Sequence, residues 1–267
     1  MVDKQNLRWW GDFSVPAEQW SRWQVGPLHL FARAMTDEWR IAWRSEADAD
    51  FNDVVIATLE ADEPDTEDLQ LARFALEHPG TDLRLTPRLA DLPVVVTPET
   101  PLWIPPGETA LLFVGTLVRI AIMQATDEAP VLMEIPIFRP SDTWFGANTR
   151  FGELCYASKT RARTRADLLG HMPHRAFTPV EIVNEGGDMF NVEQLRIPVT
   201  ALHLYETDHD QLWTDAIRFT RKSGPNNAEF DIIGGSSHLP TAATELSKPR
   251  APLQRKTVIQ AFSSLFN

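Results

Sequence analysis

The chain has 267 residues, 43% of them apolar and 23% charged, and a formal net charge of −12. That length buries a core without staples, and the composition excludes collagen-like, coiled-coil and long disordered classes. The single cysteine, Cys155, excludes an intrachain disulfide and any multi-cysteine metal centre. A pI near 5.0 speaks against duplex nucleic acid as a partner, because such affinity rests on neutralised phosphates.

The opening residues M-V-D-K-Q-N-L-R-W-W-G-D-F lack the apolar stretch of a signal peptide. The most apolar stretch, Thr109 to Met123, is interrupted by Gly115 and Arg119 and is too short to cross a bilayer. A cytoplasmic location with no transmembrane segment is therefore expected.

In chain order, the run from Trp20 to Ala32 turns at Gly26-Pro27 and pairs with the next strand. There Trp39, Ile41 and Trp43 alternate with Arg40, Ala42 and Arg44 in the manner of a half-buried strand. Asp65 to His78 reads in two ways. As a helix it has an N-cap at Asp65 or Thr66, an apolar face of Leu69, Ala72 and Leu76, and a stop at Pro79-Gly80. As a strand it alternates through Gln70, Ala72, Phe74 and Leu76. Period-two runs follow at Val118/Ile120/Ile122, Val131/Met133/Ile135/Ile137, Val180/Ile182, Leu195/Ile197/Val199, Leu202/Leu204, Ile217/Phe219 and Phe230/Ile232. Turn-forming residues such as Asn184-Glu185-Gly186-Gly187-Asp188 separate them, and 20 prolines suit sheet edges and loops better than helix interiors. The pattern predicts an all-β fold: an antiparallel β-sandwich, Greek-key or immunoglobulin-like, as one or two stacked domains. The expected division is 1–145 and 146–267, with a single continuous domain as the alternative. A short amphipathic helix is expected near the end, where Val258, Ile259, Phe262, Leu265 and Phe266 share a helical stripe.

Charge is segregated. Between Asp37 and Asp82, 14 acids face 3 arginines, which accounts for nearly all of the net −12. Against this run two basic stretches: Lys159, Arg161, Arg163 and Arg165 at every second position, which a strand would place on one face, and the acid-free tail with Lys248, Arg250, Arg255 and Lys256. The tail helix would either close the protein's own core or lie on an anionic membrane or a partner's groove.

The segment Ile135-Pro136-Ile137-Phe138-Arg139-Pro140-Ser141-Asp142-Thr143-Trp144-Phe145-Gly146, followed by Thr149-Arg150-Phe151-Gly152-Glu153-Leu154-Cys155-Tyr156-Ala157, resembles an uncharacterised prokaryotic family, domain of unknown function 432. Trp9-Trp10-Gly11, Gly26-Pro27-Leu28, Trp39-Arg40-Ile41-Ala42 and the run from Asp91 to Gly107 extend the resemblance over most of the chain. It implies no activity, cofactor or catalytic residue. It does imply a membrane-protein partner such as a small mechanosensitive channel.

Among candidate site residues, Trp144 differs from the other tryptophans because it lies in a polar, turn-like segment beside Arg139, Asp142, Arg150 and Glu153. That mixture suits a recognition surface or an intramolecular ion-pair network around a half-buried indole. Arg161 and Arg163 of the basic stripe are the second candidate contact. A weak metal candidate is His203 with Asp208, His209 and Asp210, although a polar hairpin explains them equally. In His171-Met172-Pro173-His174 the proline disfavours the helix that would align both imidazoles. Gly234-Gly235-Ser236-Ser237-His238 holds a serine but no recognisable triad, and Cys155 reads as a buried inert thiol. No dinucleotide fingerprint, P-loop, G-x-S-x-G or H-E-x-x-H occurs, so no cofactor and no catalytic residue is expected. The function expected is non-catalytic contact with an unidentified protein partner or a membrane surface, in an accessory or regulatory role. The alternative is a small-molecule or carbohydrate-binding module, or an enzyme.

Overall fold

A computed structural model describes residues 8–48, 52–58, 64, 68–77, 79–126, 129–146, 150, 152–161, 163–166, 169–170, 172–207, 210–223, 228–234 and 242–253. They form an almost entirely β structure whose helical content, among the described residues, includes the 3-10 turn Val199–Ala201. The chain resolves into two compact units, each gathered from separate stretches of sequence.

The first unit holds residues 1–88, 117–138 and 171–174. One of its sheets runs in the order β1 (Gly11–Ser14), β7 (Asp82–Arg88), β11 (Arg119–Gln124), β12 (Val131–Pro136). The other runs β5 (Val54–Thr58), β2 (Trp20–Val25), β3 (Leu28–Ala34), β4 (Glu38–Ser45), β6 (Gln70–Ala75). Every pairing in both sheets for which a register is defined is antiparallel, and β2 turns into β3 at Gly26-Pro27 with Val25 opposite Leu28. Gly26 carries a φ of 54°, which favours a residue without Cβ. Leu83, Leu85, Ile120, Ile122 and Ile135 of the first sheet and Trp23, Leu30, Trp39 and Ile41 of the second are buried. The sheets meet where Phe13 lies edge-on to Trp23, with ring centroids 5.6 Å apart. The alternation of Trp39 and Ile41 with Arg40 and Ala42 is thus the alternation between the core face and the outer face of β4.

The strand reading holds for the segment with two possible readings: Gln70–Ala75 is β6, paired with β4 through Trp39 opposite Phe74 and Ile41 opposite Ala72. An exposed helix of that composition has only one apolar stripe to bury, whereas the strand completes a sheet edge and satisfies its backbone against β4. Leu69, just before it, packs on the outer face against Trp20, Phe31 and Ala42.

The second unit holds residues 89–116, 139–170 and 175–267. Its largest sheet runs β21 (Ala228–Ile233), β20 (Ala216–Arg221), β15 (Arg175–Asn184), β19 (Leu212–Thr214), β18 (Leu204–Thr207), β22 (Ala243–Ser247), with β10 (Thr109–Leu117) also pairing β15. A second sheet runs β13 (Asp142–Phe145), β14 (Glu153–Thr160), β8 (Val94–Pro98), β17 (Leu195–Ile197), and β16 (Phe190–Val192) pairs with β9 (Leu102–Ile104). Most pairings here are antiparallel as expected, and three are not: β14 runs parallel to β8, and β15 runs parallel to both β19 and β20. Parallel neighbours need long crossovers. Trp213 anchors this core, with Phe113 and Phe177 at 5.8 and 5.6 Å between centroids. The C-terminal amphipathic helix lies outside the described residues.

Candidate functional site

The segment Arg139 to Tyr156 builds an edge of the second unit. Strand β13 ends its sheet, and its pairing with β14 sets Asp142 opposite Tyr156 and Trp144 opposite Leu154 on one face. Directly opposed side chains in such a pair lie about 5 Å apart, so the indole and the leucine form one apolar surface. Trp144 is 48% exposed and Leu154 46%. The close approach of the indole explains Gly152: a Cβ there would sit 2.1 Å from Trp144 Nε1 and 2.9 Å from the Phe145 carbonyl oxygen.

Around this pair the polar groups are tied down. Arg139 donates through one Nη to both oxygens of Asp142, at 2.8 and 3.0 Å, which strengthens its hold on the positive charge. The same guanidinium lies 5.6 Å from the centroid of Tyr156, whose hydroxyl donates to Asp91 at 2.9 Å. Tyr156 is buried, whereas Asp142, Trp144 and Leu154 on the same face are exposed. The result is an apolar patch bordered by a cation and two carboxylates.

Of the site residues expected from sequence, the fold brings Arg139, Asp142 and Trp144 together. Glu153 points to the opposite face, paired in register with Phe145, and receives Arg196 Nη2 at 2.9 Å. Arg196 is 8% exposed, so this is an intramolecular ion pair that links β14 to β17. Cys155 shares that inner face, and burial, reinforced by the Glu153 charge, pushes its thiol up to about 12. Arg150 is an exposed turn residue.

The basic stripe does not stay on one strand. β14 ends at Thr160, Arg161 lies 3.5 Å from Glu99, and Arg163 forms an isolated bridge with Phe113, whose N–H donates to the Arg163 carbonyl at 2.7 Å. Arg250 of the tail donates through Nε and Nη2 to the Leu89 carbonyl at 2.8 and 2.6 Å. That arginine serves the fold.

His203 occupies a built polar site that spacing did not disclose. Its ring Nδ1 lies 2.8 Å from Asp215 Oδ2, its backbone N–H donates to the same oxygen at 2.7 Å, and Tyr205 donates to Asp215 Oδ1 at 2.9 Å. Asp215 is 1% exposed and the His203 side chain 37%. A buried carboxylate needs such donors, and a neutral imidazole that donates through Nδ1 keeps its lone pair at Nε2. Asp208 and His209 lie outside the described residues, as do His171 and 235–241. Asp210 sits in the turn after Thr207, and no group of three metal-ligating side chains occurs among the described residues. His174 is fully buried, and the neighbouring Pro173 carbonyl accepts from Trp9 Nε1 at 2.7 Å. Asp215 carried one readable signal, an acid placed between the apolar runs of β19 and β20.

A family model described as protein of unknown function (DUF432) matches residues 9–267. No curated protein and no solved structure matches the chain.

Proposed function

We propose that this chain, which belongs to the DUF432 family of unknown function, works by contact and not by catalysis, through the edge formed by β13 and β14. The observation that carries the reading is the pair of large apolar side chains, Trp144 on the edge strand β13 and Leu154 opposite it on β14, both about half exposed. An exposed tryptophan with an apolar neighbour and an Arg–Asp border is the composition of an interface centre, where tryptophan, tyrosine and arginine supply most of the binding energy. The partner this edge suits is a protein segment with an apolar side chain for the indole and a polar rim that answers Arg139 and Asp142. In this reading the protein is an accessory or regulatory subunit.

The test compares native mass spectra of wild type and the Trp144→Ala/Leu154→Ala variant, each purified gently from its own host. The expected result is a second polypeptide that travels with wild type and is depleted at least tenfold in the variant. Leu71→Ala, at an exposed leucine of the first unit, keeps it. Equal recovery from all three proteins overturns the reading.

A second reading, a small-molecule site or an enzyme, is favoured by one observation: the Asp215 carboxylate holds His203 through Nδ1 as it would hold a general base. Ligand-dependent change in the His203 ring resonances, abolished in Asp215→Asn, supports it. A ring that ignores a broad ligand panel counts against it.

A further inference from the structure

The outer face of the five-stranded sheet in the first unit is crowded with arginine. Register sets Arg33 of β3 opposite Arg40 of β4, and Arg40 opposite Arg73 of β6, so three guanidinium groups follow one another across neighbouring strands. Alternation adds Arg22 of β2, opposite Phe31, and Arg44 of β4, opposite His29, to the same face. Like charges opposed across strands destabilise a sheet unless anions answer them. In a chain of net charge −12 such a gathering needs a reason.

Glu38 answers part of it. Its two oxygens take Arg40 Nε at 2.7 Å and Arg73 Nε at 2.8 Å, and these bonds, Arg73's first, hold the carboxyl below its ordinary range. The second acid of this face, Glu46, lies 3.1 Å from His29 Nε2. Arg22 and Arg44 form no ion pair among the described residues. Arg22 Nη2 lies 3.1 Å from Gln24 Oε1 and 3.1 Å from His29 Nδ1, and Gln24, His29 and Arg44 follow one another in register across β2, β3 and β4. The Nε groups of both arginines are buried, and no acceptor meets either among the described residues. Buried donors in native proteins are nearly always matched, so two unmet ones on one face of a sheet point to an acceptor that belongs there.

We propose that Arg22 and Arg44, astride His29, form a binding site for the phosphate group of a small anionic ligand. The two arginines leave strands two gaps apart, about 9.5 Å between axes, a span that two long side chains close onto one oxyanion. Guanidinium forks present paired N–H donors, and the several oxygens of a tetrahedral phosphate accept from both forks at once. His29 fits the same picture. It is 6% exposed, and burial, then the charges of Arg22 and Arg44, hold its imidazole below the ordinary value against the opposing pull of Glu46. The neutral ring accepts from Arg22 through Nδ1 and donates to Glu46 through Nε2, so it orients one fork without adding charge. This site is independent of the β13–β14 edge.

The test is calorimetric titration of the full chain with inorganic phosphate and with pyrophosphate at low ionic strength, and again at about 0.5 M salt, where screening weakens the contact. Saturable binding to wild type is expected, weakened at least tenfold in Arg22→Gln and in Arg44→Gln and unchanged in Arg218→Gln, at an exposed arginine of the second unit. Arg44→Lys keeps the charge and the packing stem, so it covers the case in which the glutamine variants misfold, and it is expected to lose the fork and bind more weakly than wild type. The His29 ring, followed by NMR, should titrate at higher pH with phosphate present, because the anion offsets the two cations. Absence of binding at low salt, or equal binding by the glutamine variants, overturns the proposal. Sedimentation with phosphatidylglycerol vesicles that free phosphate does not compete away would assign the face to a membrane and overturn the small-ligand source. Binding that appears only after Glu60, Asp62, Glu63, Asp65 and Glu67 are changed to their amides would assign it to the chain's own acids, with the same consequence.

Discussion

At Gly152 the requirement is steric and local. A methyl group there must displace the Trp144 indole and also meets the Phe145 carbonyl, a backbone atom that cannot swing away. Gly152→Ala is expected to cost about 1–3 kcal/mol in urea unfolding and to shift the tryptophan emission. In a Trp144→Ala background the cost should fall, since the nearer clash is gone. Asp215 poses an electrostatic requirement, with three donors converging on a fully buried carboxylate. Asp215→Asn turns one acceptor oxygen into a donor, and a loss of about 1–3 kcal/mol is expected by the same unfolding assay. Cys155 makes a prediction about pH. Its thiol ionises near 9 when unfolded and is held to about 12 when folded, so the unfolded chain releases the proton first and stability falls as pH rises through that window. Below it, a thiol reagent should label Cys155 only as fast as the protein opens.

Among the elements, the five-stranded sheet carries its own pH dependence through His29 on β3. Burial and two arginines keep the folded imidazole neutral below the ordinary 6.5, so the unfolded chain takes up that proton first as pH falls. The stability concerned is present above about 6.5 and is lost below it. In phosphate-free buffer the melting temperature should drop between about pH 7 and 5, and His29→Gln should flatten that part of the curve. The end of β15 shows a different dependence of an element on one side chain. Asn184 donates to the Ile104 and Asp188 carbonyls, both at 2.9 Å, and accepts from Gly186 and Arg221 at 3.1 and 3.2 Å. It thereby ties β15 to β9 and to the turn before β16. Asn184→Ala leaves buried backbone groups unmet, and about 2 kcal/mol of lost stability with faster amide exchange in β9 and β16 is expected.

For the molecule as a whole, connectivity sets the behaviour. β8 lies between β14 and β17, strands that arrive far later in the chain, and one of those pairings is parallel. A chain ended at residue 145 lacks both neighbours, so the amides of Val94, Val95, Val96 and Thr97 should lose their exchange protection in that fragment. Pairings between such distant segments must close long loops before they gain contacts, so folding in milliseconds to seconds is expected.

The sequence by itself determined where the strands lie. Side-chain alternation is a local property of an extended backbone, which is why Trp39/Ile41, Ile120/Ile122, Val180/Ile182 and Ile217/Phe219 could be read directly. It also marked Trp144 as the tryptophan out of pattern, because a polar segment leaves an indole partly in water. Exposed Trp103 on β9 escaped notice, since a three-residue strand is too short to show a period. Only the tertiary structure decided which strands are neighbours and in what register, and the sites follow from that choice. Asp215 meets His203 across a hairpin, Glu153 meets Arg196 across the intervening strand β8, and five arginines scattered from Arg22 to Arg73 arrive on one face. A period of two tells each side chain which face it takes, but the identity of its cross-strand neighbour depends on packing and register between distant segments.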